Sequence, residues 1–158
     1  MTADHALVEI RIVGMPIDAY REASEHTDEL MREFSLIRER EADDEDGRHV
    51  PRRLLDLVDR LSREYSGFTG TQTAQLQQAV EEGAAAIDLV YRVPIAVRQA
   101  CIDLGRLLDE ADEYCRQGQE LLTLATPARS VAFRIWFLDE FVRQIDGEAP
   151  TPWTDRGA

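Results

Sequence analysis

The chain contains no lysine and no asparagine, so all 18 of its basic side chains are arginine. Without lysine it cannot form the G-x-x-x-x-G-K-[ST] phosphate-binding loop. The G-x-G-x-x-G, G-x-S-x-G, C-x-x-C and H-E-x-x-H motifs are missing as well. Because lysine and asparagine are both encoded by A-rich codons, we interpret their absence as the mark of a high-GC genome. The sequence therefore carries no recognisable catalytic signature, and we favour a non-enzymatic protein.

Long apolar runs and a basic, apolar leader are also lacking. No segment has the length of uninterrupted apolar residues that a membrane span needs. The first fifteen residues contain acids and alternate in polarity, unlike a signal peptide. These features predict a cytoplasmic protein that does not associate with membranes.

Cysteine is scarce, and positive charge is outweighed by negative charge. Cys101 and Cys115 lie fourteen residues apart in one predicted helix, beyond disulfide reach within it, so we interpret them as buried thiols.

With 31 acidic residues the formal net charge is −13. Nucleic-acid-binding proteins neutralise phosphates with clustered basic side chains, so nucleic acid is excluded as a partner. The acidic surplus favours attraction to a basic partner.

The segment from Thr126 to Ile145 is the most apolar predicted helix. Its apolar residues recur at steps of three and four and widen into an aromatic stripe. Such a helix must pack against the rest of the chain or against a second molecule, since each large side chain that is buried contributes about 1.5–3 kcal/mol. We predict that its partner-binding residues are Arg134, Trp136, Phe137, Glu140 and Phe141.

Alternating polarity predicts strands over residues 6–13 and 87–93, and a short apolar run predicts a third over 120–125. A proline follows each strand at the start of a helix, namely Pro16, Pro94 and Pro127. The predicted order is β-α-α-α-β-α-β-α, a single two-layer α/β domain over residues 1–147. Its small three-stranded sheet carries helices mainly on one face, and strands two and three are parallel if they are neighbours. An acidic loop is predicted at about 41–49 and a tail with proline and tryptophan at 148–158.

Candidate metal ligands and nucleophiles do not form convincing sites. Glu22, His26 and Glu29 share one helical face, but an acidic, solvated face has the same pattern. The run from Asp43 to Gly47 lacks the alternating ligands of a calcium loop. Ser130 is interpreted as an ordinary helix residue. We predict no metal, no cofactor and no catalytic residue.

Several segments carry a resemblance to a known family: LMREF at 30–34, IDLVYRVP at 87–94, LLDEAD at 107–112, LLTLATP at 121–127, and FVRQI at 141–145 continuing to Trp153. Across nearly the whole chain these segments resemble a family of small actinobacterial proteins encoded beside partner-switching regulators. The resemblance implies a regulatory accessory whose partner is a serine phosphatase, an anti-sigma factor or an antagonist. The anti-sigma kinase fold is not implied, because its ATP-binding helix requires an asparagine.

Three functional hypotheses follow. The first is a non-enzymatic protein-interaction module in bacterial partner-switching signalling, which self-associates through the aromatic helix or the open sheet face. The alternative is a small-molecule or anion-binding protein, or an enzyme, with its pocket at the carboxyl ends of the strands near Met15, Val93 and Thr126. The third is an oligomeric scaffold.

Overall fold

The structure is a computed structural model that describes residues 6–40, 50–117 and 126–154. These residues form five α-helices, a two-stranded sheet and a short 3₁₀ turn. The elements in chain order are β1 (Leu7–Pro16), α1 (Ile17–Arg40), α2 (Val50–Tyr65), the 3₁₀ turn (Ser66–Phe68), α3 (Gly70–Glu81), β2 (Ala86–Pro94), α4 (Val97–Gln117) and α5 (Ala128–Ile145). The chain is therefore a mixed α/β structure in which helices dominate.

The sheet consists of β1 and β2 in antiparallel register. Ile10 lies opposite Tyr91 and Ile12 opposite Leu89, and all four side chains are buried on one face. The residues that alternate with them face solvent. Among these, Arg11 Nε and Glu9 Oε2 form an ion pair of 3.1 Å. Strict alternation of apolar and polar residues explains this one-sided burial.

The predicted three-stranded sheet is not supported, because the described sheet contains two strands. The proposed third strand at 120–125 and the acidic loop at 41–49 both lie outside the described residues. β1 also extends past its predicted end at residue 13. Its register shifts between Ile12 and Met15, and Gly14 adopts a φ of 66°, which gives a bulge that lets the strand continue to Pro16.

Two groups of buried side chains hold the elements together. The sheet cluster joins the inner face of the sheet to α3, α5 and the first turn of α1, and consists of Ile10, Ile12, Met15, Ile17, Ala19, Leu76, Ala79, Leu89, Tyr91, Val93, Val97, Phe133 and Phe141. The helix cluster joins the second half of α1 to α2 and α4, and consists of Leu30, Phe34, Ile37, Leu54, Leu107, Leu108, Ala111 and Cys115. Helices α1 and α4 contribute to both clusters and so connect them.

Both edges of the sheet are covered by side chains from helices. Gln144 of α5 accepts the Arg11 backbone N–H and donates to the Arg11 carbonyl, both at 2.8 Å. On the other edge, Gln72 of α3 donates to the Val90 carbonyl at 2.6 Å. Beyond Arg11, the backbone N–H of Trp153 donates to the Val13 carbonyl at 3.3 Å. These contacts occupy edge positions that would otherwise be open to pairing with another strand.

Candidate ligand-binding cavity

A cavity of about 410 Å³ lies between α1, α2, α4 and α5. It occupies the junction of the two clusters, because its wall includes Phe133 of the sheet cluster together with Leu30 and Leu108 of the helix cluster. The remaining apolar wall residues are Tyr20, Ala23, Met31, Val58, Leu104, Phe137 and Leu138. Its size falls within the range of about 300–1,000 Å³ that is typical of small-molecule sites.

Small side chains on α1 keep this space open. Ala23 and Thr27 are one turn apart and line the cavity where α1 faces α5. On α5, Ser130 also lines the cavity, one turn before Arg134. These three residues contribute small side chains to its wall.

Three polar atoms in the wall are buried and lack a hydrogen-bond partner within the described part of the chain. They are Ser130 Oγ, Arg134 Nε and His26 Nε2. Ser130 as a whole is 2% exposed. Buried polar groups are almost always hydrogen-bonded in native proteins. Because the three atoms are buried, they lie behind the surface of the cavity and do not face its interior.

Arg134 already has its charge matched. Its Nη2 donates to Asp109 Oδ1 at 2.7 Å and to Asp112 Oδ2 at 2.9 Å. The Arg134 and Asp112 side chains are only 12% and 7% exposed. The hydroxyl of Thr126 also donates to Asp112. These contacts fix the guanidinium group, and its Nε is buried without a partner among the described residues.

The five residues predicted to bind a partner have different environments. Glu140 and Phe141 are buried within the chain, and Glu140 accepts hydrogen bonds from Arg143, Gln144 and the Thr151 backbone. Trp136 donates through Nε1 to the Thr151 carbonyl at 2.9 Å, and its ring packs edge-on against that of Trp153. Phe137 is half-buried at the cavity wall, and Arg134 forms ion pairs with Asp109 and Asp112. The tail through Trp153 thus covers part of the aromatic helix.

The three residues predicted to form a pocket at the strand ends are not brought together. Met15 pairs with Ile87 and Val93 pairs with Val8, at opposite ends of the antiparallel ladder. Both side chains are buried in the sheet cluster. Only Thr126 lines the cavity. The prediction assumed parallel strands, whose carboxyl ends lie at the same edge of a sheet. Because β1 and β2 are antiparallel, their carboxyl ends lie at opposite edges.

Sequence reasoning placed His26 on a solvated acidic face and treated Ser130 as an ordinary helix residue. The structure instead puts both at the cavity wall. The only available signal was the run of small residues on α1, at Ala23, Ser24 and Thr27. Within the described ranges, no three His, Cys, Asp or Glu side chains are placed to hold a metal ion.

Comparisons with protein-family models, with curated proteins and with solved structures find no match for the chain. Among the described segments, no helix combines the length and the apolar character needed to cross a membrane.

Proposed function

We propose that the protein is a non-catalytic binding protein that holds a small, mostly apolar molecule in the cavity between α1, α2, α4 and α5. The observation that carries this proposal is the mostly apolar cavity of about 410 Å³, whose wall is formed by residues of four helices. A bound apolar molecule of suitable size fills this space.

Binding is favoured over catalysis by the arrangement of Ser130 and His26, the candidate nucleophile and base at the wall. Ser130 Oγ and His26 Nε2 both lie at the wall, yet each is without a hydrogen-bond partner in the described ranges, so they do not bond to each other. A serine nucleophile needs a base within hydrogen-bond reach to be activated. The site is therefore suited to hold a ligand without reacting with it.

The test uses naphthalene as an apolar probe of ring size, with binding followed by calorimetry and by tryptophan fluorescence. Ala23→Phe places a phenyl ring in the cavity, whereas Ala74→Phe makes the same change at an exposed position of α3. We expect wild-type protein and Ala74→Phe to bind naphthalene and Ala23→Phe to lose binding. Absence of binding by folded wild-type protein, or equal binding by the Ala23→Phe variant, would show that the cavity is not a ligand site.

A second candidate is the regulatory role in cytoplasmic partner-switching signalling. It is favoured by Ile135 of α5, a large apolar side chain that is 56% exposed. The expected partner is a phosphatase, an anti-sigma factor or an antagonist, or a second copy of the chain. Recovery of one such regulator in a fixed ratio, lost on Ile135→Asp, supports this role. A monomer by light scattering that retains no regulator argues against it.

A further inference from the structure

We propose that α5 and the edge of β1 form a recognition groove for an extended segment of a partner protein, one that carries a tryptophan and prolines at alternate positions. Residues 148–153 of the chain occupy this groove in the structure and so define what it accepts. The groove consists of Val13, Phe133, Trp136, Glu140 and Arg143. Of these residues, Phe133 alone also lines the cavity, so the groove is a second binding surface.

The tail is held largely through its backbone. The N–H of Thr151 donates to Glu140 Oε1 at 2.8 Å, and the carbonyl of Thr151 accepts from Trp136 Nε1 at 2.9 Å. Two residues earlier, the carbonyl of Ala149 accepts from Arg143 Nη2 at 3.1 Å. Contacts at alternate residues are typical of an extended peptide that is added to the edge of a sheet.

Trp153 continues this alternation and supplies the apolar anchor. Its backbone N–H donates to the Val13 carbonyl at 3.3 Å, and its ring centroid lies 6.0 Å from that of Phe133 and 5.5 Å from that of Trp136. The residues at 148–152 are exposed. Tryptophan is among the residue types that contribute most to binding at protein interfaces. The groove therefore recognises one large side chain and a row of backbone groups.

The residues between the bound positions are Pro150 and Pro152. Proline has no backbone N–H, so no donor is left unpaired at these two positions when the segment binds. Proline also restricts the residue before it to extended conformations, which reduces the entropy lost on binding. A partner segment with the same spacing of prolines is likewise extended before it binds.

The acceptor in the groove does not depend on the tail. Glu140 also accepts hydrogen bonds from Arg143 and Gln144, both within α5, so its buried carboxylate keeps two partners when the tail leaves. The tail follows α5 directly after Gly147, which has a φ of 98°. A segment on so short a connection competes with other segments at a roughly millimolar effective concentration. The tail is therefore a built-in competitor of the partner.

The test uses the full chain and a fluorescein-labelled peptide of residues 147–154, GEAPTPWT, with binding followed by fluorescence anisotropy. Trp153→Ala removes the anchor of the chain's own tail, and Thr151→Pro removes the N–H that Glu140 accepts. Thr151→Ala keeps both backbone groups and is the matched control. We expect Trp153→Ala and Thr151→Pro to bind the peptide at least about tenfold more tightly than wild-type protein, because their tails compete less well. Thr151→Ala should bind it as wild type does.

The same substitutions in the peptide test what the groove recognises. With the Trp153→Ala protein, we expect the peptide that carries Trp153→Ala to bind at least about tenfold more weakly than the native peptide. The peptide that carries Thr151→Pro should also bind about tenfold more weakly, because it lacks a hydrogen bond to a carboxylate. The peptide that carries Thr151→Ala should bind like the native peptide.

Four results would overturn the proposal. The first is equal binding of the peptide by wild-type protein and both opened variants, which would place it elsewhere on the surface. The second is no binding by an opened variant that circular dichroism shows to be folded. The third is unfolding of both opened variants, which would make the tail part of the core. The fourth is a wild-type dimer, seen by light scattering, that the peptide dissociates, since the occupant would then be the tail of a second copy.

Discussion

Ser130 is buried at the cavity wall with its hydroxyl unpartnered within the described residues. Leaving a polar group buried without a hydrogen bond costs about 1–3 kcal/mol. We therefore expect Ser130→Ala to stabilise the ligand-free protein by about 1 kcal/mol. Part of that gain comes from the higher helix propensity of alanine. Urea unfolding of the variant beside wild-type protein measures the difference.

Ser62→Ala is the matched control, because Ser62 lies on the exposed face of α2 and the change there reports helix propensity alone. A gain at residue 130 that exceeds the gain at residue 62 attributes the excess to the buried hydroxyl. Equal gains, or destabilisation at residue 130, would mean that this hydroxyl has a partner in solution. Loss of stability at a binding site is a recognised cost of function.

The two cysteines are predicted to be unreactive in the folded protein. Burial raises the pKa of the Cys101 thiol to about 12 and that of the Cys115 thiol to about 11. Since the thiolate is the nucleophile, labelling by iodoacetamide at neutral pH should be far slower than in denatured protein. Fast labelling of either residue without denaturant would contradict the structure around it.

The same shifts determine how stability changes at alkaline pH. Both thiols keep their protons in the folded state at a pH where the unfolded chain, with thiol pKa values of about 8.5, has released them. The stability that the two protonated thiols contribute is complete below a pH of about 8.5. It is lost as the pH rises toward 11 and 12. Cys101→Ala should reduce this alkaline loss, which urea unfolding at a series of pH values measures.

At the scale of single elements, the next prediction concerns Gln144, which lies at the β1 edge of the sheet. Gln144→Leu removes both hydrogen bonds to the Arg11 backbone and one to the buried Glu140. We expect a loss of about 1–3 kcal/mol, because the backbone groups are left without partners. We also expect self-association, since the edge of β1 becomes free to pair. Urea unfolding and light scattering measure the two effects.

Gln75→Leu is the control for this change, because Gln75 lies on the exposed face of α3. It should leave stability within about 0.5 kcal/mol of wild type and the mass unchanged. A monomeric Gln144→Leu variant of normal stability would show that water replaces the side-chain amide at this edge.

Most elements could be predicted from the sequence because their patterns are local. The alternation at Ile10 and Ile12 gave β1 and its buried face, and the aromatic stripe gave α5 within two residues of its start. The continuation of β1 past Gly14 could not be predicted, because a glycine with positive φ is equally typical of a turn that ends a strand. The antiparallel pairing of β1 with β2 depends on partners that no local pattern specifies.

The cavity could not be predicted for a related reason. Whether Ala23 and Ser130 border an empty space depends on how closely α1 and α5 approach, which no local pattern in the sequence specifies. The covering of Trp136 by Trp153 likewise depends on the path of the tail. The aromatic helix was correctly predicted to need burial, but the sequence does not reveal that its own chain supplies part of the cover.

At the scale of the whole molecule, the sheet cluster and the helix cluster are joined by continuous helices. Helix α1 contributes Ile17 to the first and Phe34 to the second, and α4 contributes Val97 and Leu107 in the same way. A helix cannot lose one half without weakening the packing of the other. The molecule should therefore unfold as one cooperative unit in urea.

This cooperativity predicts that damage in one cluster is felt in the other. Trp136 and Trp153 both pack on the sheet cluster, so their fluorescence reports that part of the fold. Phe34→Ala removes a fully buried ring from the helix cluster and should cost about 3–5 kcal/mol. We expect the urea midpoint to fall by the same amount when it is followed by tryptophan fluorescence and by circular dichroism of the helices. If fluorescence keeps the wild-type midpoint while the helical signal shifts, the two clusters unfold independently. The cavity between them would then be a boundary between two separate folding units.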